Sequence, residues 1–337
     1  MKRSLVLAAL LVLAVLVAVG APFAETAAMP HVPLSTLWDR SNVLAWNILW
    51  EIRVPRVLMG LVAGAGLAVS GMAFQAVFRN ALATPFTLGV ASGASLGACV
   101  YIHGTYLYGS LAFRLLWVPG RAWFAFGGAV LSIALVYGLT RVRRGFSTAT
   151  LLLAGVAINF FFSSLILLFQ YLSDFTQALV MLRWLMGGLE QTVGLGDVLT
   201  VLPLVTGGAM IVLYLTHELN LITTGEELAA SRGVEVNRTK VVLFFAVSAI
   251  VGAIVALCGP IGFVGLMAPH ICRLLIGPDH RYLTPATLLF GAAFLAACDT
   301  LARTVMFPVE LPVGIITSLL GGPFFLCLLL RGSAAWE

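Results

Sequence analysis

Leu219-Asn220-Leu221-Ile222-Thr223-Thr224-Gly225-Glu226-Glu227-Leu228-Ala229-Ala230-Ser231-Arg232-Gly233-Val234-Glu235-Val236-Asn237-Arg238-Thr239-Lys240 is a polar stretch set between two apolar runs. A helix crossing hydrocarbon needs about 20 mostly apolar residues. Both neighbours supply that length, so the stretch lies in water at a membrane face. Thr224 followed by Glu227 has capping-box spacing, and Gly233 suits a left-handed stop. One or two helical turns are predicted between them, with a second short turn from Val234. A plain connector needs no capped turns, so the pattern reads as a docking element offered to a cytoplasmic partner.

Outward from this loop the chain is apolar: 61% of its 337 residues are hydrophobic and 10% are charged, where an ordinary soluble domain has roughly a quarter charged. The expectation is an all-α, polytopic membrane protein of about ten transmembrane helices, forming one domain over residues 1–337. Unbroken apolar runs exclude a membrane barrel, whose strands alternate. The net charge of +5 then describes topology, not affinity for nucleic acid. Cys99, Cys258, Cys272, Cys298 and Cys327 show neither disulfide nor zinc spacing and read as buried thiols. His270 and Cys272 have no third ligand nearby, so no metal is expected.

The spans are read at about 5–24, 57–77, 87–101, 123–139, 150–172, 198–216, 241–257, 263–276, 285–302 and 313–330. Lys2-Arg3 and the first apolar run imitate a signal peptide, but the run exceeds the usual apolar length and many spans follow, so a retained first helix is expected. Gly60, Gly64, Gly66, Ser70 and Gly71 let neighbours approach closely, which predicts a second span deep in the bundle. Arg141, Arg143 and Arg144 end the fourth span as a basic cluster, and the positive-inside tendency places them in the cytoplasm. That choice fixes every neighbour and puts both termini and the central loop inside. Trp38, Trp46 and Trp50 then mark an outer interfacial segment, and 177–187 an outer amphipathic helix. Thr84-Pro85-Phe86-Thr87-Leu88 is echoed by Thr284-Pro285-Ala286-Thr287-Leu288, and both copies are expected to open outward-going spans.

No catalytic machinery is legible. Neither Lys2 nor Lys240 has a phosphate-loop context, so this chain does not itself hydrolyse ATP. There is no nucleophile elbow, carboxylate pair or metal motif. An ion-coupled secondary transporter, the rival from another class, places ionisable groups near mid-membrane, whereas the charges here gather at span ends. Energy is expected from a partner. Gln75, Asn159, Ser163, Ser164, Thr317 and Ser318 are the polar side chains within spans, suited to helix packing or to a pathway. Arg53, Arg56 and Arg303 lie at outer ends, where arginines either snorkel to lipid headgroups or receive carboxylates from an external protein.

Arg53-Val54-Pro55-Arg56, Gly64-Ala65-Gly66-Leu67-Ala68-Val69-Ser70-Gly71, Gln75 and Arg79-Asn80-Ala81-Leu82-Ala83-Thr84-Pro85 form one set of motifs. Gly259-Pro260-Ile261-Gly262-Phe263-Val264-Gly265-Leu266, Pro269-His270, Arg273 and Glu310-Leu311-Pro312-Val313-Gly314 form another. Together they resemble the iron-siderophore, haem and vitamin B12 importer permeases, the membrane subunits of type II ABC importers. The resemblance covers nearly the whole chain. It implies ten helices per subunit, a homodimer, two ATP-binding subunits holding ATP and Mg, and a substrate-binding protein. It also implies a bacterial or archaeal cytoplasmic (inner) membrane with its lipid, and no cofactor on this chain. Thr224 to Arg238 match the coupling helices, with Glu226, Glu227, Arg232, Gly233 and Glu235 among the residues facing the ATPase. Arg53, Arg56 and Arg303 match the positions that dock the binding protein. Ser147 and Thr148 match the cytoplasmic gate, and Gln75 and Asn159 are assigned to the pathway. Ala81 departs from the family's usual proline. The implied cargo is a ferric siderophore or haem, with cobalamin and molybdate as alternatives.

Overall fold

The computed structural model describes residues 2–24, 32–38, 42–107, 114–115, 118–142, 148–189, 194–306 and 309–330. Its helices are α1 (Lys2–Gly20), α2 (Val43–Asn47), α3 (Val54–Phe78), α4 (Val90–Leu107), α5 (Gly120–Val142), α6 (Thr148–Leu172), α7 (Phe175–Leu185), α8 (Leu195–Tyr214), α9 (Thr216–Thr224), α10 (Glu226–Ser231), α11 (Val236–Cys258), α12 (Val264–Ile276), α13 (His280–Thr304) and α14 (Val313–Leu330). Two short strands, β1 (Arg114–Leu115) and β2 (Val118–Pro119), pair antiparallel. Each of the ten expected spans coincides with a helix: α1, α3, α4, α5, α6, α8, α11, α12, α13 and α14. Seven of these regions are long and apolar enough to cross a membrane, while 264–276 and 313–328 are shorter.

α3 is the centre of the bundle, and its small residues explain why. Gly64 lies against Gly291 of α13, where an added Cβ would come within 2.8 Å of the Leu295 Cβ, and Gly60 lies against Ala296. Gly71 meets the Gly265 backbone of α12, and Gly66 accommodates Ile250 and Ile254 of α11. Helices can approach this closely only where side chains are absent. α4 and α5 meet the same way, with Gly93 facing Gly128.

The segment expected as an outer interfacial strip is more regular than its composition implies. Asn42 caps α2 by accepting from the Ala45 N–H at 3.1 Å, and a π-helical stretch, Ile48–Arg53, runs on into α3. α3 ends at Arg79 in the left-handed region, φ 49°. The turn that follows tolerates Ala81 because Asn80 holds it: Asn80 Oδ1 accepts from the Leu82 N–H at 2.9 Å. Thr84 and Thr87 form a reciprocal cap around a 3₁₀ turn, Pro85–Leu88.

The echo at Thr284-Pro285 is not its structural counterpart. α13 starts at His280, so Thr284 lies inside the helix, where its hydroxyl donates to the His280 carbonyl at 2.7 Å. Cys99, Cys258, Cys272 and Cys298 are buried as expected, but Cys327 is exposed on α14. Among the described residues no group of His, Cys, Asp or Glu could hold a metal ion.

Candidate functional site

The one or two helical turns expected between Thr224 and Gly233 are present as α10, and a further helix, α9, precedes them. α8 stops at Tyr214, Leu215 bends the chain, and α9 runs on to Thr224. Gly225, at φ 144°, separates α9 from α10 and is itself the cap of α10. The expected capping box at Thr224 and Glu227 is therefore absent, because the Thr224 hydroxyl donates back to the Leu221 carbonyl at 2.7 Å and closes α9. Gly233 is left-handed, φ 86°, as its position implied. No further short turn forms at Val234, since α11 begins at Val236.

Two polar joints bind this element to the bundle. Glu226 at the start of α10 takes an ion pair from Lys240 Nζ at 2.7 Å, and Lys240 is only 1% exposed. Asn220 of α9 donates to Asp279 Oδ1 at 2.9 Å and accepts from the backbone N–H and Nδ1 of His280, at 2.9 and 2.8 Å. Arg3 of α1 reaches Asp279 at 3.8 Å and lies over the Tyr282 ring. Burial pushes the Asp279 carboxyl up. The hydrogen bonds from Asn220 and from the backbone and side chain of Arg281 outweigh it and leave the group below the ordinary carboxylate range. Glu227, Arg232, Gly233, Glu235 and Arg238 are exposed, with Glu235 and Arg238 3.5 Å apart.

The arginines read as outer docking groups occupy the opposite end of α13 and are buried. Arg56 makes a two-pronged contact with Asp299, Nε to Oδ2 at 3.1 Å and Nη2 to Oδ1 at 3.0 Å, and reaches Glu310 through Nη1 at 2.9 Å. Arg303 Nε lies 3.2 Å from the same Asp299. Arg53 Nη1 donates to the Pro22 carbonyl at 3.0 Å. Asp299, one of the charges that gather at span ends, joins two of these arginines, a pairing not foreseen from the sequence. A carboxylate four residues before an arginine in an apolar helix was the available signal.

Gln75 is also buried, and it ties α3 to α12: its Oε1 accepts from Arg273 at 3.2 Å and its Nε2 donates to the Gly265 carbonyl at 3.4 Å. Asn159 is half-buried on α6, a helix whose Leu153, Phe160, Phe161 and Leu167 are exposed. Thr148 opens α6 but its side chain, like all of Ser147, lies outside the described residues. The structure therefore joins Glu226 to Lys240, Asn220 to Asp279, and Arg56 and Arg303 to Asp299, and leaves Asn159 apart from all three.

Comparison with known proteins says which family this helical bundle comes from. The FecCD transport family matches residues 6–331. The chain belongs to that family. Among FecCD relatives, the hemin transport system permease protein HmuU of Yersinia pestis is 40% identical over 97% of this chain and 96% of its own length. The cobalamin import system permease protein BtuC of Halobacterium salinarum is also 40% identical, over 84% of this chain and 73% of its own. A solved structure described as an inward-facing conformation of a metal-chelate type ABC transporter superposes with TM-score 0.84 at 30% identity, covering 97% of this chain and 99% of that one. This FecCD protein is thus an ABC importer permease, a multi-pass and non-catalytic membrane subunit.

Proposed function

We propose that this permease moves an iron chelate, a ferric siderophore or haem, inward across the cytoplasmic membrane of a bacterium or archaeon. It works as one half of a homodimer that receives cargo from a substrate-binding protein and force from two ATP-binding subunits. The observation that carries the reading is the two-helix element α9–α10, exposed on Thr223, Glu227 and the capping Arg232 yet bound to the bundle through buried Lys240 and through Asn220. An exposed surface fixed to buried helices can transmit a push, whereas a loose loop absorbs it. ATP and its Mg belong to the partner subunit; closure of two such subunits shifts the permease between its two open states. On this reading α9–α10 faces the ATP-binding subunits, which makes its end of α13, with Asp279 and Arg3, the cytoplasmic one.

Docking of a binding protein at the other end requires exchange. Asp299 is enclosed, but the Glu310 side chain is 21% exposed, so an incoming carboxylate can replace Glu310 on Arg56 more readily than it replaces Asp299. Arg53 and Arg303 support that site from within. Gln75, Asn159, Ser147 and Thr148 remain the pathway and gate assignments.

Haem is the first cargo to test because the hemin permease aligns along almost its whole length. Cobalamin is the second reading, favoured by a relative of equal identity over a smaller share of the chain. The test is reconstitution with the ATPase and binding protein encoded beside this chain, followed by ATP-dependent accumulation of hemin, a ferric hydroxamate and cobalamin. Accumulation of an iron chelate that needs both partners is the expected result. Uptake driven by an ion gradient without any ATPase would return the chain to the secondary transporters.

A further inference from the structure

We infer that Asn220 is the joint through which movement of α9–α10 enters α13, so that α13 acts as a strut between the ATPase-facing element and the buried arginines. The inference rests on the importer reading above. Asn220 is a positioning residue: it touches neither cargo nor nucleotide.

The chemistry of the joint is fully assigned. A backbone N–H can only donate and an ionised carboxylate can only accept, so Asn220 Oδ1 must face the His280 N–H and its Nδ2 must face Asp279. His280 Nδ1, 2.8 Å from the same Oδ1, therefore carries its proton. Three hydrogen bonds from one side chain fix α9 to Asp279 and His280, the cap and first residue of α13. Asp279 also accepts from the Arg281 N–H at 3.1 Å, so any pull on its carboxylate is felt by the first turn of α13.

The far end of the same helix is held as firmly. From His280 to Asp299 a straight α-helix extends about 28 Å at 1.5 Å per residue. Asp299 there binds both Arg56 and Arg303, and Arg56 reaches on to Glu310 on the segment leading into α14. Between the two ends α13 runs against α3 with Gly291 opposite Gly64, a contact with little side-chain material to deform. A helix bonded at both ends and packed backbone to backbone where Gly291 meets Gly64 moves as one body from Pro285, inside its second turn, onward. The second joint, Glu226 to Lys240, leads instead into α11. The two-helix element thus addresses two helices by two chemically different bonds, and Asn220 is the one assigned to α13.

The test exchanges the two partners. Asn220→Asp sets a carboxylate against Asp279 and removes the donor. Asp279→Asn alone keeps an acceptor for Asn220 and a cap for α13. The double variant restores a donor–acceptor pair in the opposite sense. In the reconstituted complex, with hemin as probe, N220D is expected to keep ATPase activity within about twofold while cargo moved per ATP falls about tenfold, and N220D with D279N to recover to within about twofold. A structural defect alone would lower both activities together. Wild-type cargo per ATP in N220D, or a double variant no better than N220D, would overturn the joint.

A readout without cargo separates this from failure of the importer reading. Spin labels on Glu227→Cys and Thr304→Cys, in a Cys327→Ser background that removes the exposed native thiol, report the distance from α10 to the far end of α13. The distribution should broaden about twofold in N220D and narrow again in the double variant; an unchanged width in N220D overturns the proposal even if no cargo is ever transported.

Discussion

Lys240 Nζ lies 2.7 Å from Glu226 Oε1, with the lysine enclosed and the carboxylate side chain 43% exposed. Removing one partner of such a pair leaves a buried charge, which is costly, whereas replacing the buried charge with an apolar side chain of similar volume is often neutral. Access of water to the Glu226 side reduces the cost, so Glu226→Gln is expected to destabilise by about 1–3 kcal/mol. Lys240→Met added to it should restore most of the loss. Thermal unfolding of the purified permease measures both. Equal melting temperatures for wild type and E226Q would mean that the lysine reaches water.

Asp299 pairs with two guanidiniums, Arg56 and Arg303, in a site it shares with little solvent. Asp299→Asn should therefore be the most damaging single change at that end, costing about 3–5 kcal/mol and lowering the yield of folded protein. Glu310→Gln, which removes only the outer contact to Arg56, should cost less and leave folding intact. A docking assay at low and high salt then separates roles. E310Q is expected to raise affinity for a cognate binding protein, because Arg56 is released to meet its carboxylate; weaker binding would show that Glu310 itself belongs to the docking surface.

Seven of the spans were legible because length and apolarity alone define them, and the close packing of α3 was legible because Gly60, Gly64 and Gly71 recur at helical spacing. α9 was missed for a physical reason: no glycine or proline marks Leu215, and Thr216 to Thr224 continues a helical pattern without a breaker. The bend is made by the Leu215 backbone and by Thr216, whose hydroxyl donates to the Leu213 carbonyl at 3.0 Å. Arg56 and Asp299 are 243 positions apart, so no local pattern could pair them. Lys240 looked like an ordinary basic flank of a span; only the fold of α10 over it makes it internal.

Gly233 has open space where a Cβ would stand, so its constraint is backbone conformation alone. Gly233→Val must pay for a left-handed β-branched residue, at roughly 1–2 kcal/mol, and the least expensive relief is a shift of the link between α10 and α11. Gly233→Asn tolerates the same conformation through its short polar side chain. Transport per ATP should fall several-fold in G233V with normal membrane insertion and stay near wild type in G233N. Equal activity of all three would remove the left-handed stop from the coupling mechanism.

Asp279 gives the inner joint a pH limit whose direction follows from its lowered carboxyl. An unfolded aspartate titrates near about 3.9. A carboxylate held below that value in the folded chain stabilises the fold fully above the unfolded value and loses its contribution as pH falls through the folded one. Stability attributable to the Asn220–Asp279–Arg281 contacts should therefore stay flat from about pH 8 to 5 and decline only in strong acid, below about pH 4. Asp279→Asn removes the titrating group while keeping the cap on α13, so its melting temperature should show a shallower acid decline than wild type. Parallel curves for the two proteins would assign the acid sensitivity to other carboxylates and leave Asp279 with a smaller electrostatic role than its contacts imply.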